Sequence, residues 1–134
     1  MHRPGNMGHR ILVVDDYAEA AEIACMLFDL LGHECHCAHS GREALAQTAA
    51  LKPDVVILDI GLPDLSGYEV ARELRANYPE LYLVAMTGLG DREDVVRAYA
   101  AGFDEHLVKP TDESKLQKML QHADQRSQAQ HPQL

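Results

Sequence analysis

Ile11-Leu12-Val13-Val14-Asp15-Asp16 sets four consecutive apolar residues directly before two carboxylates. The same construction recurs along the chain. Val55-Val56-Ile57-Leu58 precedes Asp59, Leu81-Tyr82-Leu83-Val84-Ala85-Met86 precedes Thr87, and His106-Leu107-Val108 precedes Lys109-Pro110. Short Val-, Ile- and Leu-rich runs without alternation are the pattern of strands buried on both faces of a parallel sheet. In an open α/β sheet, ligands bind in the crevice outside the carboxyl ends of the strands. Three carboxylates, a hydroxyl and an ammonium are therefore expected on one edge of one domain.

The segments between the runs have helical period. Ala18 to Leu31 carries Ile23, Leu27, Leu30 and Leu31 at spacings of three and four and stops at Gly32, as at a C-terminal cap. Ser40 is placed as an N-cap for Gly41 to Ala50, with Glu43 completing a capping box. Tyr68 to Asn77 runs into Pro79, and Arg92 to Ala101 runs into Gly102. Thr111 or Asp112 caps a last helix whose Leu116, Met119, Leu120 and Ala123 share one face. His33 to Ala38 is a fifth strand, less apolar and so expected at an edge. Strand and helix alternate five times, which implies an α/β fold with right-handed crossovers and helices on both faces.

At 134 residues, 46% of them hydrophobic, the chain suits one domain, and with two Phe and no Trp its core must be aliphatic. A formal net charge of −9 argues against direct nucleic-acid binding, which needs a basic surface. No run approaches the ~20 apolar residues that span a bilayer, so no membrane insertion is expected. Three cysteines, two of them at Cys35 and Cys37 and too close in sequence for an ordinary bridge, favour a reduced, cytoplasmic setting. Residues 1–8 and 126–134 are polar and aperiodic. They are expected to be disordered tails, or cut points from a longer protein, around a domain at 9–125.

The predicted edge has a definite chemistry. Asp15, Asp16 and Asp59, ionised within a few ångströms, would repel one another unless a cation lay between them. Hard oxygen ligands favour Mg²⁺, which is commonly held by one or two carboxylates plus phosphate oxygens. Aspartate is also a nucleophile toward phosphorus, forming an aspartyl phosphate. Thr87 and Lys109 suit phosphoryl oxygens. Phosphoryl transfer asks chiefly for positioning and charge neutralisation, so this set needs neither His nor Cys.

In their order and spacing these residues resemble the receiver domain of bacterial two-component response regulators, over about Arg10 to Asp124. The likeness rests on Asp15-Asp16, on Asp59 followed by Leu62-Pro63-Asp64-Leu65-Ser66-Gly67, and on Thr87-Gly88. It rests also on Ala101-Gly102-Phe103-Asp104, on Lys109-Pro110 and on Gly41-Arg42-Glu43-Ala44-Leu45. The resemblance implies a doubly wound, flavodoxin-like, five-stranded parallel sheet of order 2-1-3-4-5 with five helices. It implies that Asp59 accepts a phosphoryl group from a histidine kinase or histidine phosphotransfer domain. Asp16, Asp59 and the Gly61 carbonyl would ligate Mg²⁺, with Asp15 acting directly or through a water. Thr87 and Lys109 would hold the phosphoryl oxygens, Gly88 would leave room for them, and Lys109-Pro110 would be cis. Thr87 and the strand-five residue His106 would form the switch that reshapes the surface of helix four, strand five and helix five.

His at position 106, where the family more often has Tyr or Phe, adds polarity to that switch. Gly61 and Leu89, expected to face an attacking water, bring no polar side chain, which implies slow self-dephosphorylation. The segment Ala101 to Pro110 resembles receivers carried by hybrid sensor kinases, so the chain is either a stand-alone receiver or one excised from a larger protein. The different-class alternative is a pseudo-receiver, a protein-interaction module that takes no phosphate; the intact acidic set weighs against it. A metabolic enzyme ranks last: no G-x-G-x-x-G follows strand one, a P-loop is absent, and Asp59 lacks the second Asp of a haloacid-dehalogenase-type phosphatase. His33, Cys35, Cys37 and His39 share a strand face and form a metal-cluster candidate, against the plainer reading of small buried Cys and solvent-facing His. Cys25 is expected in the core.

Overall fold

The computed structural model describes residues 8–88 and 92–130. Five strands and five helices alternate: β1 (Arg10–Val14), α1 (Ala18–Leu30), β2 (Glu34–Ala38), α2 (Gly41–Leu51), β3 (Val55–Asp59), α3 (Gly67–Asn77), β4 (Tyr82–Thr87), α4 (Arg92–Ala101), β5 (Glu105–Val108) and α5 (Glu113–Gln130). All strand pairs are parallel and the order is β2-β1-β3-β4-β5, with β2 at an edge. The register aligns Val14 with Leu58, Asp59 with Met86, and Thr87 with Val108. The polar residues that end β1, β3, β4 and β5 thus emerge at one level.

Alternation along the strands sorts the core into two layers. Leu12, Val14, Val56, Leu58, Leu83 and Ala85 pack against α2, α3 and α4, with Leu74 and Phe103 among their partners. Ile11, Val13, Ile57, Val84 and Met86 pack against α1 and α5, where Phe28 and Met119 are fully buried. Leu116, Met119, Leu120 and Ala123 form the buried stripe of α5, as their spacing predicts. No described helix is long and apolar enough to cross a membrane.

Local signals mark the helix ends. The Ser40 hydroxyl accepts from Glu43 N at 3.1 Å, while the Glu43 carboxylate reaches back to His39 N at 3.2 Å, one residue beyond the cap position of a regular capping box. Asp112, rather than Thr111, caps α5 by accepting from Lys115 N at 2.9 Å. Gly32, with φ +93°, ends α1 in the left-handed region where a Cβ is strained.

Three expectations are corrected. α1 turns a different face inward: Ala21, Cys25 and Phe28 are buried, whereas Ile23 is 66% and Leu30 82% exposed. The helix is apolar almost all round, and the sheet takes the side where small residues allow close approach and Phe28 fills the end. The C-terminal tail expected from Arg126 continues α5 as far as Gln130. Arg126 in that stretch pairs with Asp104 at 2.8 Å. Residues 1–7 of the expected N-terminal tail lie outside the described residues. The third correction concerns cysteine: Cys25 of α1 and Cys35 of β2 form a disulfide across the helix–sheet contact, with Cα atoms 5.2 Å apart. The pairing joins different elements, which spacing within β2 could not reveal.

At the amino end of the sheet, the buried His9 ring sits between two carboxylates. Its Nδ1 lies 2.5 Å from Asp54 Oδ2 and its Nε2 2.7 Å from Asp124 Oδ1, joining the entry of β1 to the entry of β3 and to α5. Burial alone would lower the His9 pKa, but the two carboxylates outweigh it and hold the value above its ordinary 6.5. A group that binds its proton more tightly when folded contributes stability that is complete below its unfolded value and lost above its folded one. Urea denaturation should therefore show stability falling as pH rises from below 6.5 through the raised value. In His9→Gln that decline should vanish, and stability at the acid end should drop by about 1–3 kcal/mol.

Candidate functional site

Asp59 is the last residue of β3, and its carboxylate is 89% withdrawn from solvent at the side chain, which is 11% exposed. Its Oδ1 accepts from Gly61 N at 3.0 Å and its Oδ2 lies 2.6 Å from Lys109 Nζ. Asp15, directly after β1, is almost fully buried; Oδ1 accepts from Tyr17 N at 3.0 Å and Oδ2 lies 3.2 Å from the same ammonium. Asp16 is exposed beside them. Asp15, Asp16 and Asp59 each offer an oxygen, and the three lie within 4.8 Å of one another.

Thr87 ends β4, buried, and its Oγ1 is 2.9 Å from His106 Nε2 on the neighbouring strand. Lys109 N donates to Thr87 O at 2.7 Å, and the Lys109–Pro110 peptide is cis. The Lys109 side chain crosses the sheet edge to Asp59 of β3 and to Asp15 after β1. Among the described residues, a Cβ added to Gly88 would meet nothing within 4 Å.

Opposed forces act on the charges here. Burial works to lower the Lys109 pKa, and the carboxylates of Asp59 and Asp15 more than reverse it, so the ammonium is held charged. Burial pushes the Asp15 carboxyl up, with Asp59 adding to the push, while the Tyr17 amide and Lys109 pull the other way; the net direction is upward. Three carboxylates facing one ammonium leave this edge with an excess of negative charge.

The predicted residues Asp15, Asp16, Asp59, Thr87 and Lys109 are brought together, and His106 joins them through Thr87. Gly61 is next to Asp59 and supplies an amide to it. The metal-cluster candidate on β2 is not assembled: His33 Nδ1 accepts from His9 N at 2.9 Å, His39 Nδ1 lies 3.1 Å from Asp15 O, and the Cys side chains turn to Cys25.

Two supporting positions escape a reading of spacing alone. Asp64 accepts from Gly41 N and Arg42 N at 2.8 and 3.0 Å, tying the β3–α3 loop to the start of α2. A Cβ at Gly41 would lie 2.9 Å from Leu65 Cβ, so that close approach needs glycine. Arg75 of α3 reaches Asp104 at 2.6 Å and donates twice to Gly102 O, fastening the turn before β5. The acidic residue inside Leu62-Pro63-Asp64-Leu65-Ser66-Gly67 is visible in the sequence, but its partner lies two elements earlier.

The response regulator receiver domain family matches residues 11–121. The chain belongs to that family. The chemotaxis protein CheY of Thermotoga maritima is 34% identical over 118 residues, covering 85% of this chain and 96% of that protein. The regulatory protein AtoC of Escherichia coli is 35% identical over 115 residues, covering 86% of this chain but 25% of its own length. Of three such curated regulators, the chain spans between 25% and 47% of the length. A CheY-like receiver domain protein from Methanospirillum hungatei superimposes with a TM-score of 0.84 at 26% identity, covering 91% of this chain and 98% of its own.

This receiver domain depends on glycine where the β3–α3 loop returns. Gly67 N donates to Ile60 O at 3.1 Å, and a Cβ on Gly67 would stand 2.6 Å from Ile60 Cα. That contact is with backbone and cannot be relieved by a rotamer change. Gly67→Ala should destabilise the domain by about 1–3 kcal/mol in urea denaturation. Because Ile60 follows Asp59, the backbone amide resonances of Asp59 and Gly61 should shift more than those of β2.

Proposed function

We propose that this receiver domain takes a phosphoryl group onto Asp59 from the phosphohistidine of a kinase or phosphotransfer partner, with Mg²⁺ held at Asp15, Asp16, Asp59 and the Gly61 carbonyl. The observation that carries the reading is the Lys109 ammonium 2.6 Å from Asp59 Oδ2 and 3.2 Å from Asp15 Oδ2, on an edge that also gathers Asp16 and Thr87. The all-oxygen donor set and its surplus negative charge suit a small hard cation. When bound, that cation offsets charge between the carboxylates and the incoming phosphoryl oxygens.

In the transfer, an Asp59 carboxylate oxygen forms the new bond to phosphorus as the phosphorus–nitrogen bond breaks, the imidazole nitrogen leaving with the electron pair. Lys109 moves from the carboxylate to a phosphoryl oxygen, and the Thr87 hydroxyl donates to another. The contact of Thr87 Oγ1 with His106 Nε2 at 2.9 Å would carry any shift of the threonine toward the phosphoryl group on to β5. Val96 and Tyr99 are large apolar residues left exposed on α4, beside that strand. Ile23, Met26 and Leu30 form a second exposed apolar group along α1, and Tyr17 adds to it next to the acidic edge. Grouped apolar exposure of this kind marks protein contacts. The first surface suits a downstream partner and the second a phosphodonor.

Acetyl phosphate with Mg²⁺ should add one phosphoryl group to the wild-type protein by intact mass, and none to Asp59→Asn or in excess chelator. Lys109→Ala should slow incorporation about 10- to 100-fold, the loss of one charge-assisted hydrogen bond. No incorporation in a folded wild-type protein would favour the interaction-module reading instead.

Gly61 presents no polar side chain to an attacking water; the companion position Leu89 lies outside the described residues. The phosphorylated domain should accordingly hydrolyse slowly. A half-life of minutes or longer in phosphate-release assays is expected, and one of seconds would contradict it.

A further inference from the structure

Away from the carboxyl edge, the three cysteines of the chain meet at the contact between α1 and the edge strand β2. Cys25 Sγ is bonded to Cys35 and lies 3.0 Å from Cys37 Sγ. Residues two apart on a strand stand about 6.6 Å apart on the same face. The Cys25 sulfur therefore lies between those of Cys35 and Cys37, with one neighbour bonded and the other in contact.

We propose that Cys25, Cys35 and Cys37 form a reversible thiol–disulfide site in which the central Cys25 sulfur bonds to either strand cysteine. The oxidant it takes is a hydroperoxide. A thiolate on β2 attacks the peroxide oxygen, giving a sulfenic acid and releasing the alcohol or water. The Cys25 thiolate then attacks that sulfur and displaces hydroxide, which leaves as water. Two thiols and one hydroperoxide become one disulfide, one alcohol and one water.

The bond then migrates without further oxidation. The Cys37 thiolate attacks Cys25 Sγ, the Cys25–Cys37 bond forms, and Cys35 leaves as a thiolate that takes up a proton. Flanking of the central sulfur from two sides is the arrangement this displacement requires. Cys35 and Cys37 are half-buried on the edge strand and so within reach of a small oxidant, whereas Cys25 is buried. Cys25–Cys35 is the bonded pair in the structure, and burial, aided by Glu22 and Asp29, pushes the Cys37 thiol up, so migration to Cys37 is faster at alkaline pH.

The site is tested on the whole chain with hydrogen peroxide, alkylation and mass spectrometry. Cleavage after glutamate separates Ile23–Glu34 from Cys35–Glu43. Reduced protein should alkylate three times and oxidised protein once, with those two peptides linked. Cys37→Ser and Cys35→Ser should both lose all free thiol on oxidation, while Cys25→Ser should keep two. If oxidised Cys35→Ser, folded by circular dichroism, still alkylates twice, the shared-sulfur site is overturned. Should that variant fail to fold, fragmentation of the linked wild-type peptides decides: both pairings after alkaline incubation are expected, and a single pairing overturns the proposal. One equivalent of zinc retained by the reduced protein, and lost in Cys25→Ser, would also overturn it in favour of a thiolate metal site.

Discussion

The central strand β3 is buried along its whole length, from Val55 to Asp59, and the rest of the molecule is arranged around that constraint. A strand covered on both faces has no place for a charged side chain until it reaches the sheet edge, because an unpaired charge in the interior is prohibitively costly. β1 and β4 follow the same pattern: Asp15 comes directly after β1, and Thr87 is the last residue of β4. Parallel pairing then carries these residues to one side of the domain. The Lys109 ammonium, delivered from the far end of the sheet, is what makes two largely buried carboxylates tolerable there.

Such an edge needs loops that do not wander, and the fold holds them from outside. Asp64 uses its carboxylate to cap α2, so the segment that follows Asp59 is fastened to a helix on the same face. Gly67 returns that segment so tightly that its backbone touches Ile60. At the other end of β4 and β5, Arg75, Asp104 and Arg126 link α3, the turn before β5 and α5. Gly102, at φ +113°, lets its carbonyl face the Arg75 guanidinium. None of these groups touches the carboxylates of the acidic edge, yet they decide how well Asp59 and Lys109 are aligned.

Two parts of the domain are poised rather than locked. Thr87 and His106 are in polar contact at 2.9 Å across neighbouring strands, beside the acidic edge. On the opposite flank, Cys25 is in contact with both strand cysteines, joining α1 to β2 by chemistry that depends on oxidant rather than phosphate. α1 begins directly after Asp15, Asp16 and Tyr17, so both flanks connect to the same edge through short lengths of backbone.

The fold was legible in the residues because buried parallel strands leave an unambiguous mark: apolar runs with a polar terminus, punctuated by amphipathic segments. Asp15, Asp16, Asp59, Thr87 and Lys109 stood out for the same reason, since each closes such a run. Strand order came from family resemblance, as periodicity alone does not say which strands are neighbours. Where the pattern was ambiguous, tertiary packing chose. α1 has apolar residues on most of its surface, and only the shape of the sheet selected Ala21, Cys25 and Phe28 over Ile23 and Leu30. The Cys25–Cys35 bond, the His9 clamp between Asp54 and Asp124, and the Asp64 cap join residues from different elements. Sequence determines the chemical capacity of such groups, but their pairing arises from the distance between elements, which exists once the layers have packed.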